Sequence, residues 1–193
     1  MRQIRGPELS FFIFFFFPRL GSVKEDEEHV VSIIASLLLR LSGEQHTRVL
    51  NKFFENDYEK LDKLMELHEK YYSQVSEVKE EEEDDDDEEE EEGESDEDKA
   101  KRLAARRYVR RLDRGLFTLQ QVDTVITLLL AEDIAEVSKR VRMLMNQMDT
   151  DMKQLIDVIQ EYHENVGDGA SEAGASYNNV LRTHTPVASG RIH

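Results

Sequence analysis

The 193-residue chain contains no cysteine and no tryptophan, and only three prolines. Without cysteine there is no disulfide framework, no thiol nucleophile and no cysteine-ligated zinc. The composition fits a reducing compartment. With so few prolines, long stretches are free of helix breakers. Alternating β-branched runs are scarce too, so there is little from which to build a sheet. One uninterrupted large-apolar run stands out: Phe11-Phe12-Ile13-Phe14-Phe15-Phe16-Phe17, with Arg2 and Arg5 before it and Pro18 after it. Positive residues ahead of an apolar core resemble a signal peptide, but no small-residue cleavage site follows. The run is also far short of the roughly 20 residues that span a bilayer. Residues 1–21 read as a divergent, phenylalanine-rich segment that would need covering if structured. No membrane contact is expected.

Charge is abundant but unevenly placed. The formal net charge is −17. Residues 80–98 hold seventeen carboxylates and no base, and 80–92 is an unbroken run of thirteen. Elsewhere 25 acidic groups face 25 Lys and Arg, so the acidity belongs to one segment and says little about the fold. Adjacent carboxylates repel one another, bury nothing and cannot offset the entropy of ordering. Residues 79–98 are expected to be a disordered acidic linker, or at most a frayed extension of the helix before it.

Apolar residues on both sides of the linker recur at helical spacing. Val30, Ile33, Ile34, Leu37, Leu38 and Leu41 follow the rule of one helical face, with acidic residues in the first turn and Gly43 as a stop. A second helix offers Val49, Leu50, Phe53 and Phe54. Asn56 with Glu59 three residues on has the form of a capping box. It introduces a helix with Leu61, Leu64, Met65, His68, Tyr71, Tyr72 and Val75 on one side, fading near Val78. Beyond the linker, a basic helix starts at Lys99. The apolar pattern continues through Leu116, Leu119, Val122, Ile126, Leu129 and Leu130, with Gly115 either a break or a weak point. A further helix starts at Asp133. The last, with Leu155, Ile156, Ile159 and Tyr162, stops at Gly167-Asp168-Gly169. This makes about six helices in an all-α fold, with 22–78 and 99–169 as two helical parts. Residues 170–193, without periodicity, read as a disordered tail.

No catalytic signature is present. His68-Glu69 begins like a metalloprotease helix, but Tyr72 occupies the position of the second histidine. His68 shares the apolar face of its helix and reads as a satisfied core histidine rather than a ligand. Gly167-Asp168-Gly169 follows a helix and has Glu172 where a dinucleotide fingerprint needs glycine. The acidic run lacks the spaced ligands and central glycine of a calcium loop. No enzyme activity, cofactor or metal is expected.

Two charged features are left. Arg106, Arg107, Arg110, Arg111 and Arg114 form a candidate partner-binding cluster. They could also contact RNA phosphates together with Arg102, although Tyr108 is the only interleaved aromatic. The bland alternative is a solvated or acid-paired helix face. The acidic block could hold basic proteins, or act only as a solubilising spacer. Ser95, followed by Asp96, Glu97 and Asp98, is a candidate phosphosite for an acidophilic kinase.

Several strings resemble a known family. Asn51-Lys52-Phe53 is followed by Glu55-Asn56-Asp57, Glu59-Lys60, and Leu64-Met65-Glu66-Leu67-His68. Then come Arg110-Arg111-Leu112-Asp113, Gly115-Leu116-Phe117, and Glu161-Tyr162 with Glu164-Asn165 and Gly167-Asp168-Gly169. Over roughly residues 22–169 these are similar to the C-terminal part of the beta-catenin-like family. The resemblance implies an armadillo-like helical solenoid fragment, or helical C-terminal cap, in the nucleus. It also implies association with the pre-mRNA splicing machinery through the nineteen complex. The partners would be splicing-complex proteins, including their basic nuclear-localisation-type segments. On the same resemblance most of the armadillo array would lie upstream of this chain, which is expected to be truncated and to show an apolar surface where earlier repeats dock. The phenylalanine run, the thirteen carboxylates and the tail depart from the family pattern.

Overall fold

The computed structural model describes residues 23–81 and 95–166. The phenylalanine run, residues 82–94 of the acidic linker and the tail from 167 lie outside the described residues. Seven α-helices and no strands make up the described part: α1 Val23–Arg40, α2 Gly43–Phe54, α3 Glu59–Glu81, α4 Asp96–Asp113, α5 Leu116–Ala131, α6 Ala135–Gln147 and α7 Met152–Val166. The all-α expectation therefore holds. Helix α3 continues through residues 79–81 and α4 begins at Asp96, so helices reach into both ends of the acidic stretch.

The α5 helix organises the rest. It is buried from Leu116 to Leu130 apart from half-exposed Phe117. A helix buried on all sides needs neighbours all round, and α5 packs against α1, α3, α4, α6 and α7. Val31, Ile34 and Leu38 of α1 and Leu61, Leu64, Met65 and Tyr71 of α3 belong to the same core as Leu155 and Ile159 of α7. The helical spacing picked out all of these except Val31; on α1 the buried face is Val31, Ile34, Ala35 and Leu38, while Ile33, expected on that face, is exposed. Burying each of the larger core side chains is worth about 1.5–3 kcal/mol over leaving it in water.

The junctions differ from the sequence expectation in two places. Asn56 does not cap α3: Asn56, Asp57 and Tyr58 all adopt left-handed backbone, with φ of 53°, 56° and 66°. The Asn56 amide instead donates to Glu59 Oε2 at 3.2 Å, and the helix begins at Glu59. Asn and Asp tolerate this conformation; Tyr58 is held in it with its ring edge-on to Phe54, 6.3 Å between centroids. At Gly115, a break or a weak point on the sequence pattern, the helix does break, and α5 is a separate element. Gly115 has φ 105° and lies so close to the Tyr71 ring that a Cβ there would sit 2.6 Å from Cδ1. A side chain would fit neither the backbone nor the space. Lys24 of α1 donates to the Asp113 carbonyl at this same corner. The helix expected from Asp133 starts at Ala135, because Asp133 is itself left-handed with φ 53°.

One polar contact lies deep in the core. His68 Nδ1 and Asp123 Oδ1 are 2.6 Å apart, with both side chains fully buried. Burial pushes the His68 imidazole down, but the charge and hydrogen bond of Asp123 outweigh it and raise it overall. Burial raises Asp123 despite the opposing pull of His68. This short contact between two buried side chains ties α3 to α5 at one register. His68 is thus a core histidine, further enclosed by the Tyr72 ring stacked 5.7 Å away.

Candidate functional site

The arginine-rich helix α4 is built from its cap inward. Ser95 is its N-cap: Oγ accepts the Asp98 amide at 3.2 Å and donates to the Asp98 carboxylate at 2.7 Å. Alanines and arginines, good helix formers, fill the middle. Only Tyr108, Leu112 and the Arg111 side of the helix turn inward. Tyr108 and Leu112 pack against the core. The Arg111 guanidinium grips Glu161 of α7 through two bonds, Nη1 to Oε1 at 2.5 Å and Nη2 to Oε2 at 2.8 Å.

This geometry sorts the five arginines. Arg111 is only 14% exposed and is occupied by Glu161. Arg106, Arg107 and Arg114 are exposed, and Arg110 is half-buried. Relative to Leu103, Arg106 and Arg107 lie three and four residues on, Arg110 seven and Arg114 eleven. They therefore line one side of the helix over about 16 Å. That side faces away from Tyr108 and Leu112. Arg114 Nη1 comes within 3.9 Å of Glu77 on α3, at the strip's far end. Two aliphatic side chains break the charge: Leu103 is 38% exposed and Val109, on the flank, 56%. The outer face of α4 is thus basic with apolar points. It suits a partner carrying carboxylates or phosphates. Leu103 and Val109 would give shape contact that a purely ionic surface lacks.

Other placements bear on function. Tyr108 packs against the core, so it does not offer the free ring that an RNA-stacking surface needs. Among the described residues no group of three His, Cys, Asp or Glu is arranged to hold a metal, and no helix is long and apolar enough to cross a membrane. Sequence reasoning missed the long-range clamps. Arg140 of α6 holds Asp62 of α3 through Nε and Nη2 at 2.9 and 2.5 Å. Glu27 of α1 accepts from Lys70 at 2.5 Å and from the Tyr71 hydroxyl at 2.7 Å. Burial, followed by the Glu27 hydrogen bond, raises the Tyr71 phenol well above its usual range. The clamp partners are 43 to 78 residues apart, and no local spacing announces them.

A family model described as catenin-beta-like, Arm-motif containing nuclear, matches residues 12–160. The chain belongs to this family. The match starts at Phe12, ten residues before the stretch 22–169 over which the resemblance is drawn, and takes in all but Phe11 of the phenylalanine run, which is expected from the sequence to depart from the family pattern. Beta-catenin-like protein 1 of Mus musculus is 42% identical over 150 residues, covering 77% of this chain and 26% of the mouse protein. The Homo sapiens protein of the same name gives the same identity and coverage. The Schizosaccharomyces pombe homolog is 26% identical over 154 residues, covering 79% of this chain and 25% of its own length. The chain thus spans about a quarter of the length of these relatives. Armadillo-like helical architecture follows from membership, and the family is described as nuclear.

Proposed function

We propose that this chain is a non-enzymatic nuclear scaffold of the pre-mRNA splicing machinery that binds partner proteins as an armadillo-like module. The observation that carries the reading is the 42% identity to beta-catenin-like protein 1 over 150 residues, joined to the family's Arm-motif, nuclear description. Such helical arrays present side chains on a rigid stack, and their work is recognition. Splicing-complex proteins are the proposed partners. The proposed docking face in this chain is the outer side of α4, with Arg106, Arg107, Arg110 and Arg114, while Arg111 fixes α4 to α7 from behind. The packing of Tyr108 against the core favours a protein over RNA on that face.

The test is affinity purification from nuclear extract with the full chain as bait, with and without ribonuclease. Splicing components should be recovered after ribonuclease treatment, and recovery should fall at least tenfold with Arg106→Glu and Arg110→Glu together. Recovery of no splicing component overturns the scaffold reading. Recovery that disappears with ribonuclease favours RNA as the ligand of α4.

A further inference from the structure

The one exposed hydroxyl at the head of α4 has a chemistry that the scaffold reading leaves unused. Ser95 is exposed, with an extended backbone, φ −74° and ψ 151°. The next three residues are Asp96, Glu97 and Asp98. Among the described residues no other serine or threonine is followed by three carboxylates. Ser76, the nearest rival in sequence, has Glu77 next but Lys79 at the third position, and it lies half-buried within the C-terminal part of α3.

A protein kinase takes its substrate as an extended strand, so the first turn of α4 has to open. Little resists this. The turn is held to Ser95 by the Lys99 amide bonded to the Ser95 carbonyl at 3.0 Å and by the Asp98 amide on Ser95 Oγ. Glu97, Asp98 and Ala100 are exposed, and the first apolar side chains of α4 packed on the core are Tyr108 and Leu112, three turns on. Opening the first turn therefore uncovers no core, and local opening is easiest where few apolar contacts are lost. The hydroxyl itself is the group that must react; it belongs to an exposed residue, and both its hydrogen bonds are to Asp98 in the same turn.

We propose that Ser95 is a phosphorylation site for an acidophilic serine kinase, one whose substrate groove is basic and reads the carboxylates at the three following positions. The Ser95 Oγ forms a bond to the γ-phosphorus of ATP, the bond from that phosphorus to the bridging oxygen of the diphosphate breaks, ADP leaves, and the hydroxyl proton passes to the kinase's base. The ester no longer has the hydrogen that Ser95 donates to Asp98, so the Asp98 carboxylate is expelled from the cap. The phosphate oxygens accept the Asp98 amide in place of the Ser95 hydroxyl, as anions do at helix N-termini. The modification exchanges one cap for another and puts a dianion at the head of the arginine helix.

The full chain, incubated with a constitutively active acidophilic serine kinase and ATP, is mapped by mass spectrometry of its peptides. Phosphate is expected on Ser95, absent in Ser95→Ala. The rate is expected to drop at least tenfold in the triple variant Asp96→Asn, Glu97→Gln, Asp98→Asn, which keeps the serine cap. Circular dichroism of each variant establishes that α4 and the rest remain folded. Absence of phosphate from Ser95 in the folded wild-type chain overturns the proposal. So does an unchanged rate in the triple variant.

Discussion

The buried contact between His68 and Asp123 shows how much one residue pair can decide. Both groups are fully buried. Removing one leaves the other without compensation, so Asp123→Ala is expected to cost about 3–5 kcal/mol. The pH dependence has a definite sign. His68 is raised above 6.5 in the folded protein, so its stabilising contribution is complete below 6.5 and is lost as pH rises through the raised value. Asp123 is raised above 3.8; the folded state again holds the proton more tightly than the unfolded chain, so this contribution also declines with rising pH. The urea midpoint of the wild type is therefore expected to fall as pH rises above 6.5, and that of Asp123→Asn to fall less. An equally steep fall in the variant rejects the His68–Asp123 pair as its source. The sequence placed His68 on an apolar helix face, which was enough to read it as a core residue. Asp123 went unnoticed, because an acidic residue among Val122, Thr124 and Val125 looks like an exception until its partner 55 residues away is in place.

At the scale of elements, the decisive features are junctions. Gly115 ends α4 and starts α5 in a conformation closed to most side chains, against the Tyr71 ring. Gly115→Ala is expected to cost about 1–3 kcal/mol from the backbone alone, and more from the collision with the ring. Measured by chemical denaturation, part of that loss should return when Tyr71→Leu is added. If the Tyr71→Leu background changes nothing, close approach is not the cause. The left-handed stretch Asn56 to Tyr58 likewise replaces the cap that the Asn56–Glu59 spacing suggested. A glycine in one case and the spacing of two polar residues in the other pointed to these places, and the backbone solution there depended on what packed beside it. The α4 strip follows the same logic. Its arginines were legible as a cluster, but only the bond to Glu161 separates Arg111 from the outward side chains.

At the scale of the molecule, α5 is the shared wall of every other packed layer except α2. Ile126 is fully buried at its centre, and Ile126→Ala is expected to cost about 2–5 kcal/mol. Because α1, α3 and α7 all pack on α5, amide exchange should speed up in the three helices together. Faster exchange confined to one of them would contradict a single cooperative core. Family membership and the helical stack are consistent at this scale. Within the described residues, the strings that resemble the family come from α2, α3, the α4–α5 corner and α7; all of these except α2 form the buried wall or pack on it.

The sequence by itself determined the all-α class, most of the core and the family. Those rest on period and on ordered strings, both local properties of a chain. It also marked Ser95 and the arginines as chemically able, because residue type is enough for that. Only the tertiary structure decided that α5 stands at the centre, that Gly115 separates two helices, and that Arg111 is spent on Glu161 while its neighbours face outward. Each of those depends on a distance between residues far apart in sequence, and helical periodicity carries no information about such distances.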